Sequence, residues 1–148
     1  MVASDMTFSI RAADWEADSG RLQDVRHAVF VVEQGVPVEL EWDGLDMQCT
    51  HLLAEDADGR PIGCARLLPD GHVGRMAVLR PWRGQGVGRA LLQAALARAA
   101  LAGFTVVRLN AQVHALDFYR REGFEAFGDV FSDAGIPHRA MQRAIERR

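Results

Sequence analysis

The chain has 148 residues, 49% hydrophobic and 25% charged, with a formal net charge of −3 and a pI of about 5.9. That is the profile of one globular domain spanning residues 1–148, with no general attraction for nucleic acid or anionic membrane. All 17 basic residues are arginine, which excludes lysine Schiff bases, a pyridoxal-phosphate anchor and a Walker A loop, so any phosphate must be held by backbone amides and arginine. Folding a chain of this length removes roughly 70% of the unfolded surface, enough for a core without metal or disulfides. Cys49 and Cys64 therefore read as core thiols in a reducing, cytoplasmic setting. No apolar run reaches the ~20 residues of a membrane span, and the first ten residues lack the pattern of a signal peptide.

Thr7–Arg11 alternates as an edge strand. Leu22, Val25, Val29 and Val32 recur at helical spacing over Arg21–Glu33, and Gly35 and Pro37 stop that helix. Val38–Gln48 is an acidic loop or short helix in which Glu39, Glu41, Asp43 and Asp46 surround Trp42; it is either solvated or placed to attract a cationic amine. Strands follow at His51–Glu55, Pro61–Leu68 and His72–Leu79, separated by Asp58-Gly59 and Pro69-Asp70-Gly71 turns. Val87, Leu91, Ala94, Ala95 and Leu101 mark an amphipathic helix that Gly103 ends. A strand at Phe104–Asn110, a helix at Ala115–Glu122 and a strand at Phe124–Phe127 come next. After a loop, Gly128–Pro137, the segment His138–Ile145 fits a strand or a helix, and Arg139, Arg143, Arg147 and Arg148 read as a solvated tail. This order predicts an α/β or α+β mixed sheet, not a bundle or a sandwich.

Between the third strand and the amphipathic helix lies Arg83-Gly84-Gln85-Gly86-Val87-Gly88. Three glycines at alternate positions allow a sharp turn whose N–H groups converge on one anion, and the helix behind adds unsatisfied donors and the positive end of its dipole. Arg83 and Arg89 lie within reach of the remaining charge. A ligand-free turn would use the same glycines, but the flanking strand, helix and arginines favour a diphosphate cradle. The dinucleotide fingerprint fails because Arg89 stands where its third glycine belongs.

Arg83–Gly88 resembles the R/Q-x-x-G-x-G/A acetyl-CoA signature of the GNAT family of N-acetyltransferases, preceded by Arg75-Met76-Ala77-Val78. Downstream, Ala115-Leu116-Asp117-Phe118-Tyr119-Arg120-Arg121-Glu122-Gly123-Phe124 is similar to the family's A-x-x-F-Y-x-x-x-G-F segment. Val29-Phe30 with Glu33-Gln34, and Gly135-Ile136-Pro137-His138 with Met141, are similar to small stand-alone bacterial members. The resemblance implies a mostly antiparallel sheet with helices on both faces and strands splayed at the acetyl-CoA site. It also implies backbone contacts from Met76, Ala77 and Val78 to the pantetheine arm, as in strand addition by a ligand, and a diphosphate held on Gly84, Gln85, Gly86, Val87 and Gly88 with Arg83 and Gln85 at the rim. Asn110 matches a polar residue that meets the pantetheine, or is an ordinary strand cap.

Acyl transfer from a thioester to an amine needs a neutral amine, a polarised carbonyl and a protonated leaving thiolate. Tyr119 is the expected leaving-group acid, since a phenol stays protonated at neutral pH, and a strand amide, Val78 foremost, would polarise the carbonyl. Glu33, Glu41, Asp43, His72, His114 and His138 are candidate bases, with His138 singled out by its place in the late motif. No cysteine–histidine spacing fits a metal site, and no serine sits in G-x-S-x-G. The expected activity is acetyl transfer from acetyl-CoA to the primary amine of a small molecule or peptide. The alternatives are a non-catalytic acyl-CoA-binding module and a phosphate-binding structural protein, and the sequence neither requires nor excludes a homodimer.

Overall fold

The computed structural model describes residues 6–146, so Arg147 and Arg148 of the expected tail lie outside the described residues. The strands are β1 (Phe8–Ala13), β2 (Thr50–Asp56), β3 (Pro61–Leu67), β4 (His72–Val78), β5 (Val106–Gln112), β6 (Glu125–Asp133) and β7 (Ile136–Ala144). They form one sheet in the order β1-β2-β3-β4-β5-β7-β6, antiparallel throughout except for the parallel β4–β5 pair. β2 and β3 are apolar on both faces because helices cover both. Their hairpin turns where Asp56 Oδ1 accepts from the N–H groups of Asp58 and Arg60, an Asx turn written in the sequence as Asp-Ala-Asp-Gly.

The helices are α1 (Trp15–Arg26), continued by a π-helical segment His27–Glu33, α2 (Val38–Glu41), α3 (Val87–Leu101) and α4 (Leu116–Arg121). Leu91, Leu92, Ala95 and Ala99 of α3 are fully buried against Leu52, Ala54, Ile62, Leu109 and Met141 on one face of the sheet. Gly63 lets this helix come close: a β-carbon there would lie 3.0 Å from Leu91 Cδ1 and 3.2 Å from Val87 Cγ1. On the other face, Leu22, Val25 and Val29 pack on Leu53, Cys64 and Ala77. No helix among the described residues is long and apolar enough to cross a membrane.

Three expectations from the sequence are corrected. The first helix begins at Trp15, not Arg21, because Asp14 caps it by accepting from Ala17 N–H. It also does not keep α-helical phase to Glu33: from His27 the winding loosens, Gln34 N–H reaching back to Val29 C=O at 3.0 Å, and Val32 ends up 70% exposed. The expected loop at 128–137 is instead the end of β6 and the start of β7, joined at Ala134 (φ 52°) and Gly135 (φ 77°). Two successive left-handed residues make the turn whose twist suits a two-residue hairpin. Arg139 and Arg143 are accordingly strand residues, bonded to Gly128 C=O and Glu122 C=O.

The sheet opens in its middle. β4 and β5 pair only at His72↔Arg108 and Val73↔Leu109; beyond that, β4 stays with β3 and β5 stays with β7 through Gln112↔His138. A bulge in β4 between its pairings with Cys64 and Arg66 accompanies the divergence, with Arg75 at φ 47°.

Candidate active site

The opening between β4 and β5 leads into a cleft of about 1210 Å³ that runs from the glycine-rich loop to the tip of the β6–β7 hairpin. At one end, Gly84 (φ 78°) and Gly86 (φ 87°) adopt left-handed backbone that only glycine takes without strain. A β-carbon at either would meet nothing within 4 Å, so the loop faces open space. Gly86 is the N-cap of α3 and no side chain caps the helix, which leaves its first-turn N–H groups without intrahelical partners. Val87 is buried under the loop, Gly88 lies against Phe118, and Gln85 and Arg89 are exposed, Arg89 at 3.4 Å from Glu122.

Arg83 stands at the rim as expected, but its guanidinium is already engaged. It makes two parallel bonds to Glu33 at 2.7 and 2.8 Å, and its Nε donates to Val78 C=O at 3.0 Å. The Arg83 hydrogen bonds hold the Glu33 carboxyl below the usual carboxylate range, so Glu33 is a clasp between the π-helical segment and the loop and a poor proton acceptor. Leu79 N–H bonds Ile62 C=O, so by antiparallel alternation the Ala77 backbone groups face β3 while those of Met76 and Val78 face the splay, where the Val78 carbonyl is already taken by Arg83. At the bulge, Cys64 Sγ–H donates to Arg75 C=O at 3.3 Å. A trans peptide is planar, so the Met76 N–H points away from Cys64.

Tyr119 lines the cleft from α4, wedged edge-on between Phe118 and Phe124. Its hydroxyl makes no hydrogen bond to the described residues, and burial pushes its pKa up to about 12. His138 lines the opposite wall on β7, its ring stacked at 25° on Phe131. Its Nδ1 lies 2.7 Å from Ile136 C=O; a carbonyl only accepts, so Nδ1 carries the proton and Nε2 of the neutral ring is left as an acceptor. Asn110 is exposed in the cleft two residues before the end of β5, on the sheet face opposite to the buried Leu109 and Ala111.

The acidic stretch is a buried charge network. Asp46 accepts from Arg26 at 2.7 Å and Arg66 at 3.0 Å, Asp43 takes two bonds from Arg66, and Glu41 pairs with Arg26. Arg75 closes the group by bonding Glu41 C=O at 3.1 Å and Asp43 at 3.3 Å. Three arginines against three carboxylates leave little net field to attract an amine, and Glu41 and Asp43 are spent as bases. Sequence reasoning also missed a polar bridge over the cleft, where Gln112 donates to Gln34 at 2.9 Å and meets His114 at 2.6 Å. The Glu33-Gln34 pair was its only local trace.

A profile of the acetyltransferase (GNAT) domain matches residues 19–145. The uncharacterized N-acetyltransferase YjcF of Bacillus subtilis is 38% identical over 123 residues, 80% of this chain and 87% of that protein. An acyl-CoA N-acyltransferase from Pseudomonas aeruginosa superposes with a TM-score of 0.83 at 34% identity, covering 93% of this chain and all of the other. Escherichia coli ElaA superposes at 0.81 with 29% identity, over 93% and 99% of the two chains. The splayed sheet, the glycine cradle and these matches agree: the chain belongs to the GNAT acetyltransferase family and is an acyl-CoA-dependent acyltransferase.

Proposed function

We propose that the protein moves an acetyl group from acetyl-CoA to a primary amine by direct transfer, both substrates being bound together. The observation that carries this reading is the continuity of the cradle with the splay: unstrained glycines and uncapped amides open into the gap between β4 and β5. Bound acetyl-CoA supplies an activated acyl group as a thioester. Amides from Gly84 to Arg89 hold the diphosphate, Gln85 and Arg89 add contacts at its edge, and Arg83 acts by fixing the loop to Glu33. The Met76 and Val78 backbone groups that face the splay offer the pantetheine an edge to pair with, Ala77 between them being held in the ladder with β3, and Asn110 faces it from β5.

Two amides face the splay as donors to the acyl carbonyl: that of Val78, since Leu79 N–H is the one that bonds Ile62 C=O across the β3–β4 pair, and that of Met76, which the bulge turns out of the ladder. Tyr119 Oη holds a proton for the departing thiolate. His138 Nε2 takes a proton from the incoming amine, directly or through a water. The distinguishing experiment is release of free CoA from acetyl-CoA over a panel of small amines and peptides. Turnover with at least one primary amine supports the reading, whereas tight acetyl-CoA binding without turnover for any acceptor supports a binding module.

A further inference from the structure

Resting on that reading, we infer that the acceptor is a monoamine with an apolar body, its single ammonium received by Asp133. Five carboxylates line the cleft: Glu33, Glu41, Asp43, Asp70 and Asp133. Glu33 is clasped by Arg83, Glu41 by Arg26, and Asp43 by Arg66 and Arg75. Asp70 accepts from the His72 backbone N–H and lies 3.0 Å from its Nδ1. Asp133 alone has neither a hydrogen bond nor an ion pair to its carboxylate among the described residues. The arginines in the lining do not compete for it: Arg66 and Arg75 belong to the acidic network, Arg83 to Glu33, and the exposed Arg89, 3.4 Å from Glu122, stands at the diphosphate end. Asp133 is therefore the one carboxylate of the cleft with both oxygens unengaged, suited to one ammonium.

Asp133 is also held in place. It ends β6 in register with Ile136 across the two-residue turn Ala134-Gly135, which fixes the sheet face it shares with His138. His138, two strand positions beyond the Ile136 that pairs with Asp133, lines the same cleft. An ammonium received by the carboxylate is thus delivered on the wall that carries the proposed base.

The rest of this end is apolar. Phe30, Val36 and Leu40 line the wall from the π-helical segment to α2, Ile136 lines the hairpin side, and Phe131 backs His138. Leu40 is 56% exposed and Phe131 38% exposed, although both belong to types that normally bury. A polyamine or lysine-rich peptide would bring additional cations against this apolar surface, with no unengaged carboxylate beside it to pair them.

The test is steady-state release of CoA at saturating acetyl-CoA with phenethylamine, hexylamine, ethanolamine, spermidine and a lysine-containing peptide. Phenethylamine and hexylamine should exceed the other three in kcat/KM by about ten-fold or more, since even one methylene in an apolar pocket is worth that much. Asp133→Asn should raise the phenethylamine KM about ten-fold, the worth of one charge-assisted contact, with the acetyl-CoA KM unchanged. A preference for spermidine or the peptide, or ethanolamine used as well as phenethylamine, overturns the inference. An unchanged phenethylamine KM in Asp133→Asn, with the urea midpoint preserved, overturns the role of Asp133. If no amine releases CoA, the proposed transfer itself falls; calorimetric titration of phenethylamine into the CoA-saturated protein then decides the acceptor claim, and no binding overturns it.

Discussion

Tyr119 combines a half-buried ring, wedged between Phe118 and Phe124, with a hydroxyl without a partner among the described residues. The hydroxyl is not sealed off from solvent, and no protein group among the described residues of the cleft holds its proton. The missing partner fits a substrate atom, and the upward shift to about 12 keeps the phenol protonated at any pH where the protein would work. Tyr119→Phe removes only the oxygen and leaves the contacts with Phe118 and Phe124. Turnover should fall about a hundred-fold, within the range of general acid catalysis, while acetyl-CoA affinity measured by calorimetry stays the same. Equal turnover in the two proteins would reduce Tyr119 to a packing residue. Arg83 illustrates the opposite outcome for a residue of a recognised motif: its charge is spent on Glu33 and Val78 C=O before any anion arrives, so its place in the motif serves loop geometry.

Among the elements, the glycine loop can be tested for occupancy separately from strain. Valine at Gly86 is forced into left-handed backbone, at roughly 1–2 kcal/mol, and its side chain enters the space the cradle keeps open. Gly86→Val should raise the acetyl-CoA Kd at least about ten-fold by calorimetry. Gly59→Val is the control: Gly59 has φ 80° and equally open surroundings but lies in the β2–β3 hairpin, so it should lower stability alone. The loop, β2 to β4, α3 and the two motifs were legible in the sequence because each is a local pattern of turn residues, periodicity or spacing. The splay was not, since it depends on β5 choosing β7 over β4, a pairing some thirty residues away that only the family resemblance supplied. The β6–β7 turn was hidden because Ala134 sits where glycine, asparagine or aspartate would have announced it. The π-helical segment has valine-rich periodicity close to that of an α-helix, and the phase change that exposes Val32 leaves no compositional mark.

At the scale of the whole molecule, the buried charge network joins the segments that form the acceptor end of the cleft. Arg26 comes from α1, Asp46 from the turn before β2, Arg66 from β3 and Arg75 from the β4 bulge. Arg26 and Arg66 each stand 20 residues from Asp46 in the chain, which is why the acids looked free in the sequence. Breaking such a buried group by removing one member costs about 3–5 kcal/mol, because the remaining charges stay desolvated. Asp46→Asn should therefore lower the urea-unfolding free energy at pH 7 by about that amount. The same network sets the acid limit of the fold. Burial pushes the Asp43 carboxyl up, but hydrogen bonds from Arg66 and the Leu45 N–H overcome it and hold it at about 2; Asp46, buried and bonded to Arg26 and Arg66, is likewise lowered. A carboxyl that binds its proton less readily when folded contributes stability that is complete above the unfolded value near ~4 and drains away as pH falls through the folded value. Stability should thus fall most steeply between a pH of about 4 and about 2, after a shallower loss through the histidine range where His51, whose pKa burial lowers, must take up a proton on unfolding. Asp46→Asn should start lower and fall less over that interval, so the two curves converge in acid. Parallel curves with a constant gap would mean that Asp46 is not ionised in the folded protein, and the network would have to be read as neutral hydrogen bonding.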